Sequence, residues 1–439
     1  MESKINAPRF LVCLIVIFQG PMMNAQFVAH DDSLQTSANT DLPDLMNRLF
    51  GIAEGKLHHC FFSSGLSFYG ISEIPVIQEN LGPEEVMLEY SLTETHMTIF
   101  IISKAVFSIH QQALGPEFWK TIAAFRRKIR LADFQELVSL SHKLYLVLVA
   151  PAKQVLQGKK HLIVIPGKEL LSVPFEALIV ENCMLGKIPQ FNQCHYLILD
   201  FEITYQFSAG QWIEARYRPP WSAGKENAFP EIDFAGFSPG SYQNPAINPL
   251  PFAQKELVSI AELFSQKGLT ACLRLEACSS KDLFKEISER SRIIHFASHS
   301  HFNHDHPEFK GIVFWEYQPY SGILTPDNGI LSAGEVESLA IKADLIVLNA
   351  CASGSVSDMD NVRVISLPLG FVQAGAKNVL STLWNVTDRL ANEIMLGFYR
   401  KWLSGKTFST ALREVKLELI RCRETALPTI WASYMLIGQ

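Results

Sequence analysis

The chain has 439 residues, a mass of 49.3 kDa and 48% apolar residues, which is enough for two to three ordinary domains with real hydrophobic cores. Its net charge is −6 and its basic residues are scattered along the sequence, so the basic patch that attracts nucleic acids or acidic membranes is missing. The composition therefore indicates a globular protein and argues against nucleic acid as a partner.

Residues 1–25 resemble a secretory signal peptide. Lys4 and Arg9 precede the apolar stretch 10–18, which is followed by Gly20, Pro21 and the small residues 24–25, with cleavage expected after Ala25. We expect export to the periplasm or out of the cell; if the stretch is instead a buried strand or helix, we expect a cytoplasmic protein. Nine apolar residues are too few to span a bilayer, so no permanent membrane anchor is expected.

The next part of the chain is predicted to contain a connector, a hairpin and a helical stretch. Residues 26–80 are polar at first and then carry short apolar pieces, which indicates a weakly ordered leader and a helical connector. Two strands separated by a polar turn predict a hairpin over 86–102. A helical stretch near 115–155 then leads into a strand at 161–166.

Strands and helices are predicted to alternate along the rest of the chain. The predicted strands are 196–205, 232–237, 273–275, 292–298, 344–350, 379–384 and 434–437. The predicted helices are 252–266, 280–290, 366–374, 388–403 and 407–421. The segment 208–230, rich in Gly, Pro, Trp and Arg, predicts a long surface loop or linker. This alternation predicts an α/β fold with a mostly parallel sheet covered by helices on both faces.

Two of the predicted strands end in residues suited to nucleophilic catalysis. The apolar run at 292–298 leads into His299, and the run at 344–350 leads into Cys351. A parallel sheet presents side chains from the carboxyl ends of its strands, and a reactive thiol needs an imidazole to take its proton. The 52 residues between them resemble the roughly 50 that separate the pair in caspases. A lone cysteine at a strand end is more often a core residue, so the pairing carries the argument.

Ordered motifs along the chain resemble the CHAT domain, a family of caspase-like peptidases that is often fused to tetratricopeptide repeats. The motifs are IVIPGKEL at 163–170, VPFEAL at 173–178, HFASH at 295–299, LNAC at 348–351, AGAKNV at 374–379, TLWNVTD at 382–388 and WASYMLIG at 431–438. The resemblance covers about 81–439, with an N-terminal part at 81–138 and the caspase-like peptidase domain at 139–439. It implies a caspase-like fold and a cysteine endopeptidase.

The resemblance also implies roles for individual residues. Cys351 is expected to be the nucleophile and His299 the general base, with the backbone N–H groups of Ser300 and Cys351 forming the oxyanion hole. The family usually has glycine after the histidine, and Ser300 lacks the freedom of glycine to adopt a positive φ. Asp358 is a candidate for selecting a basic P1 residue, although acidic residues in such loops are usually solvated charges.

Other histidines are predicted to have structural roles. His295 occupies a buried position in the alternation of its strand and is expected to be a core residue or to support the site rather than to act as a base. The segment 301–306 contains three histidines and Asp305, but neither a cysteine nor a second histidine pair completes a metal site. We expect a solvated loop there, and neither a metal nor a cofactor is required by Cys/His chemistry.

Two functions of different classes are compatible with the sequence. The first is a regulated endopeptidase that cleaves partner proteins, gated by a tetratricopeptide repeat or other regulatory protein in trans, because this chain lacks such repeats. The second is an inactive CHAT-fold scaffold that binds a protein partner through the same cleft. The reactivity of the Cys351 thiol distinguishes them, because a working dyad makes that thiol alkylate faster than the others.

Overall fold

The computed structural model describes residues 13–19, 22–28, 74–134, 136–181, 183, 190–217, 231–243, 247–301, 311–317, 329–351, 360–384 and 386–439. At 13–19, 22–28, 301, 350–351 and 360–366 the description is of the backbone alone. Within this part of the chain, no helix is both long enough and apolar enough to cross a membrane.

Fifteen strands of the described residues form one continuous sheet. They are β1 (Cys13–Gln19), β2 (Met22–Val28), β3 (Glu85–Leu92), β4 (His96–Ser103), β5 (Val106–Ala113), β6 (His161–Ile165), β7 (Glu202–Tyr205), β8 (Ile232–Ser238), β9 (Ala271–Leu275), β10 (Ser291–His301), β11 (Gly311–Val313), β12 (Ile330–Ser332), β13 (Leu345–Cys351), β14 (Val379–Thr382) and β15 (Tyr434–Ile437). The order across the sheet is β9-β8-β10-β13-β14-β15-β7-β6-β3-β4-β5-β1-β2, and the β11–β12 hairpin branches from the carboxyl end of β10.

Fourteen helices of the described residues connect these strands. They are α1 (Ile74–Asn80), α2 (Pro116–Arg130), α3 (Leu137–Leu148), α4 (Lys153–Leu156), α5 (Gly167–Leu170), α6 (Leu197–Asp200), α7 (Ala209–Tyr217), α8 (Pro251–Ser265), α9 (Lys281–Ser288), α10 (Ala333–Glu337), α11 (Asp360–Gln373), α12 (Asp388–Trp402), α13 (Phe408–Arg421) and α14 (Pro428–Trp431).

The sheet contains two blocks of parallel strands. One block is β9, β8, β10, β13 and β14, and the other is β15, β7, β6 and β3. The blocks meet where β15 lies antiparallel to β14, and an antiparallel meander of β4, β5, β1 and β2 completes the sheet. The prediction of a mostly parallel sheet is confirmed for the central strands, from β9 to β3, where only the β14–β15 pair is antiparallel.

Helices cover both faces of the sheet because its central strands are apolar on both sides. On β13, Leu345 and Val347 pack with α8, α12 and α13, whereas Ile346 and Leu348 pack in the opposite layer with α9 and α11. Helix α8 buries the i, i+3, i+4 row that the sequence predicted, which includes Leu257, Ile260 and Phe264. Strands buried on both faces read as continuous apolar runs, which is why both site strands were recognisable.

The predicted strand at 196–205 is wrong over its first half. The chain forms the short helix α6 there, and only Glu202–Tyr205 is a strand. The guanidinium of Arg413 on α13 explains the difference, because Nε donates to the carbonyl oxygen of Ile198 at 3.0 Å and Nη2 donates to that of Leu199 at 2.8 Å. These bonds satisfy carbonyl groups that a strand would have paired within the sheet.

The prediction of a loop at 208–230 is also wrong over its first part. Residues Ala209–Tyr217 form α7, and Ser208 caps this helix because its Oγ accepts the N–H of Gln211 at 3.2 Å. Trp212 is fully buried, and the guanidinium of Arg216 lies 4.5 Å from the centre of its ring. Residues 218–230 lie outside the described part of the chain.

The N-terminal stretch forms a strand in the structure. Residues Cys13–Gln19 pair with β5 and with β2 through their backbones. Export stays a prediction. The hairpin predicted at 86–102 is present as β3 and β4, and β5 extends it into a meander that the sequence analysis did not predict.

A disulfide bond joins Cys183 to Cys194, with Cα atoms 5.2 Å apart. This bond was not predicted from the sequence, because cysteine spacing alone does not determine connectivity. Among the described cysteines, Cys272, Cys278 and Cys422 are free thiols, and the last two are exposed.

Candidate active site

The carboxyl ends of β10 and β13 lie side by side. The two strands are parallel neighbours, and their paired positions run from Ile293 with Leu345 to His299 with Cys351. Neighbouring strands are about 4.8 Å apart, so the backbones of His299 and Cys351 are adjacent. They lie at the edge of the sheet where open α/β folds bind ligands. The side chain of Cys351 is outside the described residues.

Two further predicted features, the P1-selecting Asp358 and the histidine-rich loop, lie outside the described part of the chain. Asp358 falls within 352–359, and the histidine-rich segment falls within 302–310 apart from the backbone of His301. The preference for a basic P1 residue therefore stays a prediction. Among the residues whose side chains are described, no three histidines, cysteines, aspartates or glutamates are grouped closely enough to hold a metal ion.

The imidazole of His299 is held by a backbone carbonyl group. Its Nε2 lies 2.8 Å from the carbonyl oxygen of Asn248, in the loop between β8 and α8. A carbonyl oxygen only accepts hydrogen bonds, so Nε2 carries the hydrogen and the neutral ring keeps its lone pair on Nδ1. Nδ1 is therefore the atom of this half-buried side chain that can accept a proton from a neighbouring group.

The same loop also fixes the backbone of His299, through Tyr242. The N–H of His299 donates to the Tyr242 hydroxyl at 3.1 Å, the hydroxyl lies 3.0 Å from Oγ of Ser298, and Oγ donates to the carbonyl oxygen of Val313. Because Oγ uses its hydrogen on Val313, it accepts from Tyr242. Burial raises the pKa of the Tyr242 hydroxyl, although its hydrogen bonds oppose this rise, so the hydroxyl keeps its proton at neutral pH.

Replacing Tyr242 by phenylalanine is expected to lower the free energy of unfolding by about 1 to 3 kcal/mol, because the His299 N–H and Ser298 Oγ lose a buried partner. Chemical denaturation at neutral pH measures the change. Tyr217→Phe is the matched control, since its side chain is exposed and the same hydroxyl is removed. Equal stability of the two variants would show that the Tyr242 hydroxyl contributes nothing.

Ser300 continues β10 in an ordinary extended conformation. Its position pairs with Ile312 of β11, and among the described non-glycine residues a positive φ occurs only at Ala132, Glu136 and Glu276. The concern that serine lacks the backbone freedom of glycine therefore does not apply to this conformation, which serine adopts without strain. Assignment of the Ser300 N–H to an oxyanion hole stays a prediction.

Asp388 connects the start of α8 to the surroundings of His299. Its Oδ2 accepts the N–H of Phe252 at 2.7 Å, in the first turn of α8, where N–H groups lack partners within the helix. Burial raises the pKa of Asp388, and the hydrogen bond from Phe252 opposes this rise. A negative charge on Glu256 also raises the pKa of Asp388, whereas a positive charge on His299 lowers it. Both side chains therefore lie within electrostatic range of Asp388.

Asn248, Tyr242 and Asp388 were not among the site residues predicted from the sequence. The first two lie in a polar loop rich in proline and asparagine, and Asp388 belongs to a motif that was quoted without a role. One signal was available, because the loop follows the carboxyl end of β8, a strand next to the histidine strand. Loops at this edge of a parallel sheet surround its site.

Comparison with known proteins gives relatives over part of the chain. Tetratricopeptide repeat protein 28 of Homo sapiens is 25% identical over 43% of this chain and 8% of its own length. The protein of the same name from Mus musculus is 23% identical over 43% of this chain and 9% of its own length. The chain thus spans less than a tenth of the curated relatives that it matches.

Solved structures resemble the chain in fold. In one structure of the separase–securin complex of Saccharomyces cerevisiae, the match covers 84% of this chain and 30% of that chain, with a TM-score of 0.51 and 9% identity. A second structure of the complex matches 92% of this chain and 34% of that chain, with a TM-score of 0.51 and 10% identity. The fold is caspase-like.

The family comparison covers most of the sheet described above. The model of the CHAT domain matches residues 138–439, which include both β10 and β13 and the loop that holds His299. With well over half of its residues matched, the chain belongs to the CHAT domain family.

Proposed function

We propose that this chain is a cysteine endopeptidase that cleaves partner proteins, with Cys351 as nucleophile and His299 as general base. The observation that carries the proposal is the pairing of these two positions at the carboxyl ends of adjacent parallel strands. The hydrogen bond from Nε2 of His299 to the Asn248 carbonyl supports it, because it leaves Nδ1 to accept a proton. Membership of the CHAT family and the caspase-like fold are consistent with this chemistry.

In the proposed reaction, His299 Nδ1 takes the thiol proton of Cys351, and the thiolate attacks the carbonyl carbon of the scissile peptide bond. The backbone N–H groups of Ser300 and Cys351 stabilise the oxyanion of the tetrahedral intermediate. The imidazolium then gives its proton to the leaving amine, which leaves a thioester on Cys351. Water, deprotonated by His299, hydrolyses the thioester and releases the second product. The Asn248 carbonyl stabilises the imidazolium and keeps its ring in place.

The thiol of Cys351 is expected to react with iodoacetamide at neutral pH about tenfold or more faster than the exposed thiol of Cys278, because an adjacent imidazole favours the thiolate. Peptide mass spectrometry measures both rates in one sample. His299→Ala should remove the advantage of Cys351 and leave Cys278 unchanged. His96→Ala, at an exposed histidine on β4, is the matched control and should leave both rates unchanged.

Cleavage itself is tested with a diverse peptide library incubated with the wild type and with Cys351→Ala. Cleavage by the wild type alone supports the proposal and gives the P1 residue. An inert Cys351 without any cleavage contradicts it and favours the scaffold, in which the same cleft binds a protein partner.

A fast-reacting Cys351 without cleavage would indicate an enzyme that needs a regulator. We propose a tetratricopeptide repeat protein acting in trans, since the curated relatives carry that name and this chain matches less than a tenth of them. Addition of such a protein should then start cleavage, and cleavage should still depend on Cys351.

A further inference from the structure

The helix face of α8 that packs on the sheet carries one acidic residue, Glu256. Its neighbours Ala253, Leu257 and Ile260 are buried apolar residues, and Glu256 itself is 0% exposed. A buried carboxylate is costly unless polar groups surround it. The partners of Glu256 therefore indicate what this residue does.

The carboxylate of Glu256 contacts both strands of the candidate site. Nδ2 of Asn349 on β13 lies 2.9 Å and 3.1 Å from its two oxygens. Nε2 of His295 on β10 lies 2.9 Å from Oε1, although the approach is too oblique for a directed hydrogen bond. One side chain of α8 thus joins β10 to β13 through polar contacts beneath the strand ends.

Two tyrosine hydroxyl groups extend this contact. The hydroxyl of Tyr399 lies 3.2 Å from Nδ1 of His295, and the hydroxyl of Tyr434 donates to Oδ1 of Asn349 at 3.1 Å. Burial, together with the charge of Glu256, raises the pKa of the Tyr399 hydroxyl, so it remains protonated. Ala297 is the strand partner of Asn349.

The two residues that contact Glu256 lie on the same two strands as the candidate dyad. His295 precedes His299 by four residues, and Asn349 precedes Cys351 by two, so each pair has an even spacing on its strand. A shift of register by one residue would exchange the faces of all side chains on a strand. Polar contacts to both strands oppose such a shift, because it would leave the carboxylate buried without partners.

We propose that Glu256 is a positioning residue that holds the register and spacing of β10 and β13, and so keeps His299 and Cys351 opposite each other. This inference rests on the proposed function, because that function is what makes His299 and Cys351 a catalytic dyad. Helix α8 is well placed for this role, because Asp388 caps its first turn and the loop before it supplies Asn248 to His299. Glu256 touches neither His299 nor substrate and acts through the strands.

The test uses the full chain and the variant Glu256→Gln, with Glu262→Gln as control, because Glu262 is exposed on the same helix. Two quantities are measured well below the melting temperature. They are the alkylation rate of Cys351 against pH, and the amide hydrogen exchange of 295–301 and 347–351. Glu256→Gln should slow alkylation of Cys351 about tenfold or more and speed exchange in both strands, since small displacements of reacting groups cost large factors in rate. Glu262→Gln should change neither.

A reciprocal exchange checks the contact itself. The double variant Glu256→Gln with Asn349→Asp restores one amide–carboxylate pair with the partners reversed, so alkylation and exchange should return toward the wild type. If Glu256→Gln does not fold, recovery of fold and alkylation in the double variant supports the proposal, and an unfolded double variant contradicts it. A folded Glu256→Gln protein with unchanged alkylation and exchange overturns it. An inert Cys351 in the wild type defeats the proposed function, while hydrogen exchange still tests the role of Glu256.

Discussion

Replacing Lys416 by methionine is expected to lower the free energy of unfolding by about 3 to 5 kcal/mol, because one partner of a buried ion pair is lost. Nζ of Lys416 lies 2.8 Å from Oε1 of Glu176, and the two side chains are 2% and 4% exposed. Nζ also donates to the carbonyl oxygen of Tyr434 at 2.6 Å, and the hydroxyl of Tyr205 donates to Oε2 of Glu176. Without the ammonium group, the Glu176 carboxylate would keep the hydroxyl of Tyr205 but lose its counter-charge.

Chemical denaturation at pH 7 measures this loss of unfolding free energy. Two further variants show how much of the loss comes from the buried ion pair. Lys120→Met removes an exposed pair with Glu117 and should change stability far less, because solvent screens exposed charges. Glu176→Gln added to Lys416→Met removes the unpaired charge, so part of the stability should return. If Lys416→Met is no more harmful than Lys120→Met, the buried pair does not stabilise the fold.

Replacing Glu89 by glutamine is expected to stabilise the protein in alkaline solution and to have little effect in acid. Glu89 lies on β3 and is only 7% exposed, and its Oε2 has no hydrogen-bond partner among the residues that the structure describes. Burial raises the pKa of this carboxyl from an ordinary value of 4.5 to about 8. Between these two pH values the folded protein holds a proton that the unfolded chain releases.

The sign of the effect follows from that proton. The stability that the protonated Glu89 carboxyl contributes is fully present below pH 4.5. This contribution decreases as the pH rises, and it is lost above about pH 8. Each pKa unit corresponds to about 1.4 kcal/mol, so the advantage of Glu89→Gln should grow to a few kcal/mol at pH 9. Melting temperatures at pH 5, 7 and 9 measure it. The melting temperature of Glu94→Gln, at an exposed position in the turn after β3, should depend on pH as that of the wild type does. If the melting temperature of Glu89→Gln also runs parallel to that of the wild type across this pH range, the prediction is contradicted.

The two site strands were predictable because their sequences carry the signal of strands buried on both faces. The runs at 292–298 and 344–350 correspond to β10 and β13, and the predicted alternation correctly buries His295. The order of motifs along the chain also predicted the family. These features depend on local sequence and on short-range periodicity, which a single sequence displays.

The remaining features depend on contacts between distant parts of the chain. A backbone carbonyl group of α6 accepts a hydrogen bond from Arg413, which lies more than two hundred residues away in sequence. Because this partner is distant, the apolar residues of α6 were interpreted as a strand. Similarly, no local pattern connects Asn248 with His299 or Glu256 with Asn349. Helix α7 was missed for a different reason. Its start has the Ser-x-x-Gln pattern of a capped helix at Ser208 and Gln211, but the surrounding glycine and proline favoured a loop.

The place of β15 in the sheet has a consequence for biosynthesis. This strand pairs with β14 on one side and β7 on the other, and within the described residues the two parallel blocks have no other strand between them. Along the chain, residues 434–437 follow the other strands of the described residues, so during synthesis each parallel block carries an open sheet edge until these residues emerge. Open edges invite pairing with other chains. Pairing of β15 with β14 and β7 therefore closes two aggregation-prone edges in a single step.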